Sequence, residues 1–313
     1  MKHKIGLQSS IWNNNLKSAF LLISFPLVIT FMLWSVIFAF LLAGTNVDQL
    51  LWSESASVAN SVLLQYWWVI LAGVSLWFTI AWFSHQNLIN LETKAKPAVR
   101  SETPEIYNIL ENLCISRGLT MPKLFIIDSP VLNAYASGIS EKTYAITLTT
   151  GLIEKLEKDE LETVIAHELT HIINRDVRLL IISIVFVGII SLLSEMMVRS
   201  ALRSLGRNSK GKGKGAAAII IVIAVAAFGY LFSILIRLAL SRRREYLADA
   251  GAVELTKNSP ALIRALSKIS GNSHLENVDS DVQQMMFDNQ ASFLGMFSTH
   301  PPIKSRIEIL ERF

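Results

Sequence analysis

Residues 158–173 read KDELETVIAHELTHII, and this stretch predicts the helix that organises the functional part of the chain. Its apolar residues recur at helical spacing and form one stripe, made of Leu161, Val164, Ile165, Leu169 and Ile172. A helix turns about 100° per residue, so residues four apart project from the same face. His167 and His171 have that spacing. We therefore expect one packed face and a second face whose imidazoles border a cleft.

The pentapeptide at 167–171 is His-Glu-Leu-Thr-His, which has the spacing of a metal site. Two imidazoles one helical turn apart can share an ion, and neutral imidazole with carboxylate is a typical zinc ligand set. Glu168 lies beside the histidines, where its carboxylate can hold a water molecule. The alternative is a surface helix with two solvated histidines. The apolar flanks of the pentapeptide favour the metal site.

A catalytic zinc site needs a third protein ligand and one open position. Arg175 and Asp176 stand where a third histidine of an extended motif would fall, so a carboxylate is the expected ligand. Glu245 and Asp249, in SRRREYLAD at 241–249, are four apart and share a helix face. Glu245 is the candidate ligand, and Asp249 the candidate acceptor of a histidine ring N–H. The spacing leaves open a solvated acidic face paired with the preceding arginines.

Three segments together resemble the HtpX-type membrane zinc metallopeptidases, which are relatives of the CAAX prenyl endopeptidases. The segments are HELTH at 167–171, SRRREYLADAG at 241–251 and STHPPIKSRI at 298–307. The resemblance runs over nearly the whole chain, with the same order of apolar segments and motifs. It implies a multi-pass α-helical membrane protein with a small α+β, zincin-like (gluzincin-type) metalloprotease domain.

The same resemblance implies the site and the activity. One Zn²⁺ per chain would be bound by His167, His171 and Glu245, with Glu168 as the catalytic base. The reaction would be hydrolysis of peptide bonds. The substrates would be misfolded or damaged membrane proteins, and the role would be quality control under stress. The expected location is the bacterial inner membrane, with the active site facing the cytoplasm.

The composition independently predicts a membrane protein. Hydrophobic residues make up 51% of the chain and the mean hydropathy is +0.42, both high for a soluble protein. Four apolar runs cause this, at about 18–44, 61–84, 179–198 and 216–240. A helix of roughly 20 apolar residues spans a bilayer, so each run is a candidate span.

The remaining sequence predicts one catalytic domain made of two separated parts, residues 85–178 and 241–313, after a cytoplasmic N-terminus at 1–17. Neither part can bury a core alone, and a shared metal would bridge them. The predicted helices lie at 102–117, 244–255, 260–269 and after Pro302. A further helical stretch begins at Gly151 and precedes the motif helix. The predicted strands lie at 123–127, 133–138 and 143–149.

Lysine and arginine residues predict the orientation of the apolar runs. Basic residues flank the first two runs, whereas the loop between them, 45–60, has none, so both outer ends should face the cytoplasm. The loop at 199–215 creates a conflict, because it is basic yet lies outside if the third and fourth runs both cross. Either those runs cross with a basic outer loop, or they are embedded without spanning. We expect them to cross, because they are long and the charge rule is a bias.

The net charge of +4 does not indicate nucleic acid, because the basic residues cluster beside the apolar runs. The expected partners are therefore the lipid bilayer and protein or peptide substrates. Cys114 is the single cysteine, which excludes an intrachain disulfide and suits a reducing compartment. It falls in an amphipathic helical pattern, so we expect it to be packed rather than nucleophilic.

Four further residues are candidate substrate contacts: Asn133, Ala134, His300 and Arg306. In the family, the strand that begins Asn133-Ala134-Tyr135 resembles the edge strand to which a peptide adds by backbone hydrogen bonds. The alternative is a core strand with Tyr135 packed. His300 and Arg306 are candidate donors to a developing oxyanion. Equally, the prolines after His300 start the last helix and Arg306 pairs with an acidic neighbour.

Two other functions fit parts of the pattern. A non-enzymatic membrane scaffold with structural zinc would need a closed site, usually rich in cysteine, which a chain with one cysteine does not favour. A prenyl-protein endopeptidase would share the chemistry but enclose it in a large membrane chamber, for which four spans are too few.

Overall fold

The computed structural model describes residues 7–44, 52–207, 214–239, 243–270, 285–286 and 301–312. The helices in these ranges are α1 (Leu7–Gly44), α2 (Trp52–Thr93), α3 (Pro104–Arg117), α4 (Thr150–Lys155), α5 (Lys158–Ile173), α6 (Asp176–Arg207), α7 (Lys214–Ala239), α8 (Arg243–Thr256), α9 (Ser259–Ile269) and α10 (Ile303–Leu310). The strands are β1 (Lys96–Pro97), β2 (Lys123–Ile127), β3 (Ala134–Ser137) and β4 (Ala145–Thr149).

The chain divides into two compact units. The first comprises Met1–Ser18, Trp82–Ile184 and Leu240–Phe313, and it contains the sheet and the HELTH helix. The second comprises Ala19–Ala81 and Val185–Ala239, and it contains most of the apolar sequence. We call them the catalytic unit and the apolar unit.

Three of the described helices are long and apolar enough to cross a membrane, through the stretches Ile11–Ala39, Ser53–Thr93 and Asp176–Ser200. In α7 the described apolar stretch is shorter, Ile219–Ser233. Each predicted apolar run lies within one of the helices α1, α2, α6 and α7, to within one residue. Most of these helices are longer than the run; α2, for example, extends from Trp52 to Thr93 around the run at 61–84. Helical hydrogen bonding does not depend on apolar side chains, so a helix continues past them into polar sequence.

Aromatic stacking and close packing around a glycine occur inside the apolar unit. The rings of Phe25 and Phe186 stack with centroids 4.3 Å apart. At Gly229 an added Cβ would lie 2.8 Å from Ser194 Oγ, so a larger residue there would require the Ser194 side chain to move. Small residues permit such close packing between membrane helices generally. Outward side chains are large and apolar, as at Leu64, which is 77% exposed.

The catalytic unit is built on a four-stranded mixed sheet with the order β1-β2-β4-β3. β2 and β4 pair in parallel, from Lys123 opposite Ala145 to Ile127 opposite Thr149. β3 pairs antiparallel with β4 and lies at the end of the sheet, as far as the described residues show. Sequence patterns predicted the three longer strands to within two residues, but not the parallel pairing, which depends on the intervening chain.

The HELTH helix α5 packs along β3, α8 and α9 and is buried over most of its length. A capping box between Glu157 and Glu160 closes its first turn, where orphan N–H groups need acceptors. Glu160 is fully buried and also accepts from Lys268 of α9 at 2.6 Å. Cys114 is buried in α3, as expected, and burial raises the pKa of its thiol to about 11.

Candidate active site

Helix α5 sets His167 and His171 next to each other on its buried face. Their Nε2 atoms are 3.2 Å apart, and their rings meet edge to face with centroids separated by 4.8 Å. His167 is only 1% exposed. His171 is less deeply buried, with 12% of its side chain exposed, and the register of the helix is set by packing on several sides.

Glu245 reaches this pair from α8, which packs against α5. Its Oε2 lies 3.7 Å from His167 Nε2 and 3.8 Å from His171 Nε2. Gly251, farther along α8, permits the close approach, because a Cβ there would lie 2.4 Å from Thr170 Cγ2. The absence of a side chain at Gly251 thus allows α8 to lie close enough to α5 for Glu245 to reach the two histidines.

The other ring nitrogen of each histidine faces a carboxylate. His167 Nδ1 lies 3.0 Å from Asp249 Oδ1, and His171 Nδ1 lies 3.1 Å from Asp176 Oδ2. Each Nδ1–H can therefore donate to its carboxylate, which leaves both Nε2 lone pairs directed toward Glu245. Carboxylates placed in this way fix the tautomer and orientation of metal-binding imidazoles.

Asp249 is in turn held by a buried cation. Arg306 of α10 donates from Nε to Oδ2 at 2.9 Å and from Nη2 to Oδ1 at 2.6 Å. Burial alone would raise the pKa of Asp249, but the Arg306 guanidinium and the His167 hydrogen bond hold it below its ordinary value. Asp249 is thus a carboxylate at neutral pH and accepts from His167.

The charges around His171 also decide its protonation when no metal is bound. Burial disfavours the imidazolium, but Glu245 and Asp176 outweigh burial and raise the pKa of His171 from 6.5 to about 10. The site is therefore electronegative enough to hold a cation.

Glu168 borders a cavity together with His171 and Glu245. The other lining residues are Ala136, Asp176, Val177, Leu180, Arg244 and Met285. Glu168 is 2% exposed, so its carboxylate faces the cavity rather than bulk solvent. The cavity is thus bordered by carboxylates, an imidazole and a guanidinium.

The donor set fits a divalent transition metal. His167, His171 and Glu245 each offer a ligand atom, and these atoms lie within 4.8 Å of one another. With metal–ligand bonds near 2.0–2.2 Å, tetrahedral ligand atoms would lie roughly 3.3–3.6 Å apart. The separations of 3.2, 3.7 and 3.8 Å need only a small adjustment to reach those values.

Strand β3 runs beside α5 and its Ala136 lines the cavity. Asn133 and Ala134 are both 1% exposed, and the Asn133 side-chain oxygen accepts from Ala134 N at 2.8 Å. Tyr135 is packed, with its hydroxyl 2.9 Å from Thr93 Oγ1. β3 thus combines features of both interpretations, since it ends the described sheet and also buries its tyrosine.

The remaining candidates have different positions. Arg306 is 1% exposed and engaged by Asp249, which matches the ion pair with an acidic neighbour rather than a group open to substrate. His300 lies outside the described residues. Asp176 and Arg244 border the cavity but were not singled out from the sequence. An acidic residue five positions after the second motif histidine is the signal that would have identified Asp176.

Residues 100–313 match the model of peptidase family M48. A "Protease HtpX homolog" from Bacteroides fragilis strain YCH46 is 47% identical over 322 residues, covering 99% of each chain. A protein of the same name from Listeria monocytogenes serotype 4a strain HCC23 is 42% identical over 261 residues, covering 78% of this chain and 86% of the relative. The crystal structure of S. mikatae Ste24p is 21% identical and covers 96% of this chain and 66% of its own, with a TM-score of 0.44.

The family match and the near full-length relatives agree with the site. They confirm the predicted class of fold, in which mostly helical, membrane-type sequence carries a small sheet and a metalloprotease domain. They also exclude the non-enzymatic scaffold, because proteins of this family are peptidases. The chain belongs to peptidase family M48, within which it is a membrane metalloendopeptidase of the HtpX group.

Proposed function

We propose that this protein is a zinc-dependent endopeptidase with His167, His171 and Glu245 as metal ligands and Glu168 as general base. The observation that carries the proposal is the convergence of two Nε2 atoms and one carboxylate oxygen within 4.8 Å, beside a cavity bordered by Glu168. Imidazole and carboxylate donors with these separations suit zinc.

A zinc ion bound there would supply Lewis acidity toward water and a substrate carbonyl. Glu168, at the cavity wall, takes the proton from the attacking water and returns it to the leaving amine. Asp249 and Asp176 hold the two imidazoles in the orientation that directs Nε2 into the site.

We further propose that Arg244 is a donor to the developing oxyanion. It lines the cavity with Glu168, and its Nε lies 3.3 Å from Glu245 Oε1. A guanidinium at that position can stabilise negative charge as it forms. Arg306 is assigned to holding Asp249 instead, and His300 remains a candidate from the sequence.

We propose that the peptide substrate adds to β3 as an extended strand. Support comes from the position of β3 at the end of the described sheet and from Ala136, which lies on β3 and lines the cavity. Pairing through backbone groups gives affinity with little side-chain specificity, which suits unfolded substrates. Substrate peptides N-methylated near the scissile bond should then show a raised KM, whereas methylation at distant positions should have no effect.

The proposed biological role is quality control of misfolded or damaged membrane proteins at the bacterial inner membrane, with the site facing the cytoplasm. The apolar helices and the HtpX-named relatives support the membrane setting, and the charge asymmetry of the first hairpin supports the orientation. Cleavage of casein should be compared with cleavage of an unfolded membrane protein co-reconstituted in the same vesicles.

The central experiment replaces Glu168 with glutamine. The amide keeps the shape but cannot accept a proton, so cleavage should fall by about 10²–10⁴-fold from loss of the base while zinc content stays at one per chain. Glu162→Gln, on the same helix, is the matched control and should cleave normally. Wild-type cleavage by Glu168→Gln would refute the base assignment. Full zinc content in Glu245→Ala would refute the ligand assignment.

A further inference from the structure

The carboxylate that faces His171 accepts a hydrogen bond from a residue near the N-terminus of the chain. Asn14 of α1 donates from Nδ2 to Asp176 Oδ1 at 2.6 Å and also to the main-chain oxygen of Asn174 at 3.0 Å. Asn14 precedes Asn174 by 160 residues, and its side chain is buried. A carboxamide nitrogen carries two hydrogens, so these two bonds use its full donor capacity.

Asp176 connects this asparagine to the candidate metal ligand. Its Oδ1 accepts from Asn14, and its Oδ2 lies 3.1 Å from His171 Nδ1. The carboxylate plane is therefore set by both neighbours at once. An unbroken series of hydrogen bonds runs from α1 through Asp176 to the imidazole of His171.

The turn that carries Asp176 needs such support. α5 ends at Ile173, and Arg175 adopts a left-handed φ of 60° before α6 begins at Asp176. That conformation is unfavourable for a residue with a side chain. Asn14 binds the Asn174 oxygen on one side of Arg175 and the Asp176 carboxylate on the other, so it holds the turn in the conformation that aims Asp176 at His171.

His167 is held by an arrangement of the same kind. Asp249, which faces His167, is held by Arg306 of α10, just as Asp176, which faces His171, is held by Asn14 of α1. Each imidazole thus has a carboxylate partner, and each carboxylate has a donor from a distant element. Partners of this kind usually change metal affinity by about 10–100-fold when removed.

We propose that Asn14 is a positioning residue of the active site, which acts through Asp176 to orient His171 for metal binding. The inference rests on the proposed role of His171 as a ligand. It assigns to α1 a part in catalysis that is separate from anchoring in a membrane.

The test uses the purified full chain with Asn14→Ala and with Asn14→Asp, which has the same size but lacks both N–H donors. Zinc affinity, measured by competition with a chelator, should fall about tenfold or more in both variants. The visible spectrum of the Co²⁺-substituted protein should change, and kcat should fall with KM within about twofold, as positioning of a reacting group predicts. Asn13→Ala is the matched control, because Asn13 is exposed on the same helix, and it should behave as wild type.

A double-mutant cycle separates positioning from general stabilisation. If Asn14 acts through Asp176, the losses in zinc affinity of Asn14→Ala and Asp176→Ala should not multiply in the double variant. Multiplying losses, or wild-type zinc affinity and Co²⁺ spectrum in both Asn14 variants, would overturn the inference. His171→Ala distinguishes this failure from failure of the metal site. Loss of zinc in His171→Ala with unchanged Asn14 variants rejects only the positioning role, whereas retained zinc rejects the ligand assignment itself.

Discussion

Arg306 donates two hydrogen bonds to Asp249, at 2.9 and 2.6 Å, and both side chains are almost fully buried. The pair joins α10 to α8 and stands directly behind His167. A buried carboxylate that loses its cation is costly, because neither water nor another charge replaces the interaction.

Replacement of Arg306 by methionine should therefore lower the free energy of unfolding by about 3–5 kcal/mol. Zinc affinity should fall by about 10–100-fold, because Asp249 no longer holds His167 in place. Chemical denaturation and chelator competition measure the two effects. Arg306→Lys should be intermediate, since an ammonium cannot make the two parallel bonds.

The double variant Arg306→Met/Asp249→Asn is the control for the origin of the loss. It removes the unpaired charge, so most of the stability should return while zinc affinity stays reduced. An Arg306→Met protein that unfolds at the wild-type denaturant concentration would contradict the buried-pair interpretation.

Gly251→Ala should destabilise the catalytic unit. This is opposite to the effect of helix propensity, since alanine in a helix interior is more favourable than glycine by about 1 kcal/mol. The new Cβ would lie 2.4 Å from Thr170 Cγ2 and 2.7 Å from Thr170 Oγ1, which forces α8 away from α5. Overpacking of this kind costs about 1–3 kcal/mol, and the shift should also move Glu245 and weaken zinc binding. Thermal unfolding and zinc competition provide the measurements.

Thr170→Ala should rescue Gly251→Ala, because it removes both atoms that the new Cβ would contact most closely. Gly188→Ala is the matched glycine control, since nothing lies within 4 Å of its added Cβ. If Thr170→Ala fails to restore zinc affinity, the close approach of α5 and α8 is not what limits the position of Glu245.

Zinc should stabilise the protein more at higher pH. In the metal-free protein the pKa of His171 is raised to about 10, so its imidazolium stabilises the fold below 6.5 and this contribution disappears as pH rises through about 10. Zinc needs neutral imidazole and displaces this proton, so apparent affinity should increase about tenfold per pH unit between these values. The difference in Tm with and without chelator should widen from pH 7 to pH 9. A difference that is constant over this range would show that His171 is already neutral without metal.

The active site should face the cytoplasm, with residues 199–215 on the opposite side of the membrane. Single cysteines at Ser209 and Ser273 in a Cys114→Ser background test both statements by labelling intact cells with an impermeant thiol reagent. We expect labelling at Ser209 and protection at Ser273, because Glu245 must return to the side of His167. Protection at both positions would show that α6 and α7 do not cross. Labelling at Ser273 would place the site outside the cytoplasm.

Short-range patterns in the sequence were sufficient for most elements of the catalytic unit. Helical spacing predicted α5, and alternating or continuous apolar residues predicted β2 and β4, because local periodicity directly reports which side of an element is buried. The motif spacing also selected His167, His171 and Glu168, whereas the spacing of Glu245 and Asp249 left a solvated acidic face open, and Glu245 followed from the family resemblance. Residues four apart on a helix share a face whatever the fold around them.

Contacts between distant segments were decided only by the tertiary structure. No local pattern connects Asn14 to Asp176, or Arg306 to Asp249, across 162 and 57 residues. The parallel pairing of β2 with β4 and the fit of Gly251 against Thr170 belong to the same class. The sequence by itself determined the chemistry of the candidate ligands, since that follows from residue type. Only the packing of separate helices determined which donors orient those ligands, because hydrogen bonds between elements depend on how the elements meet.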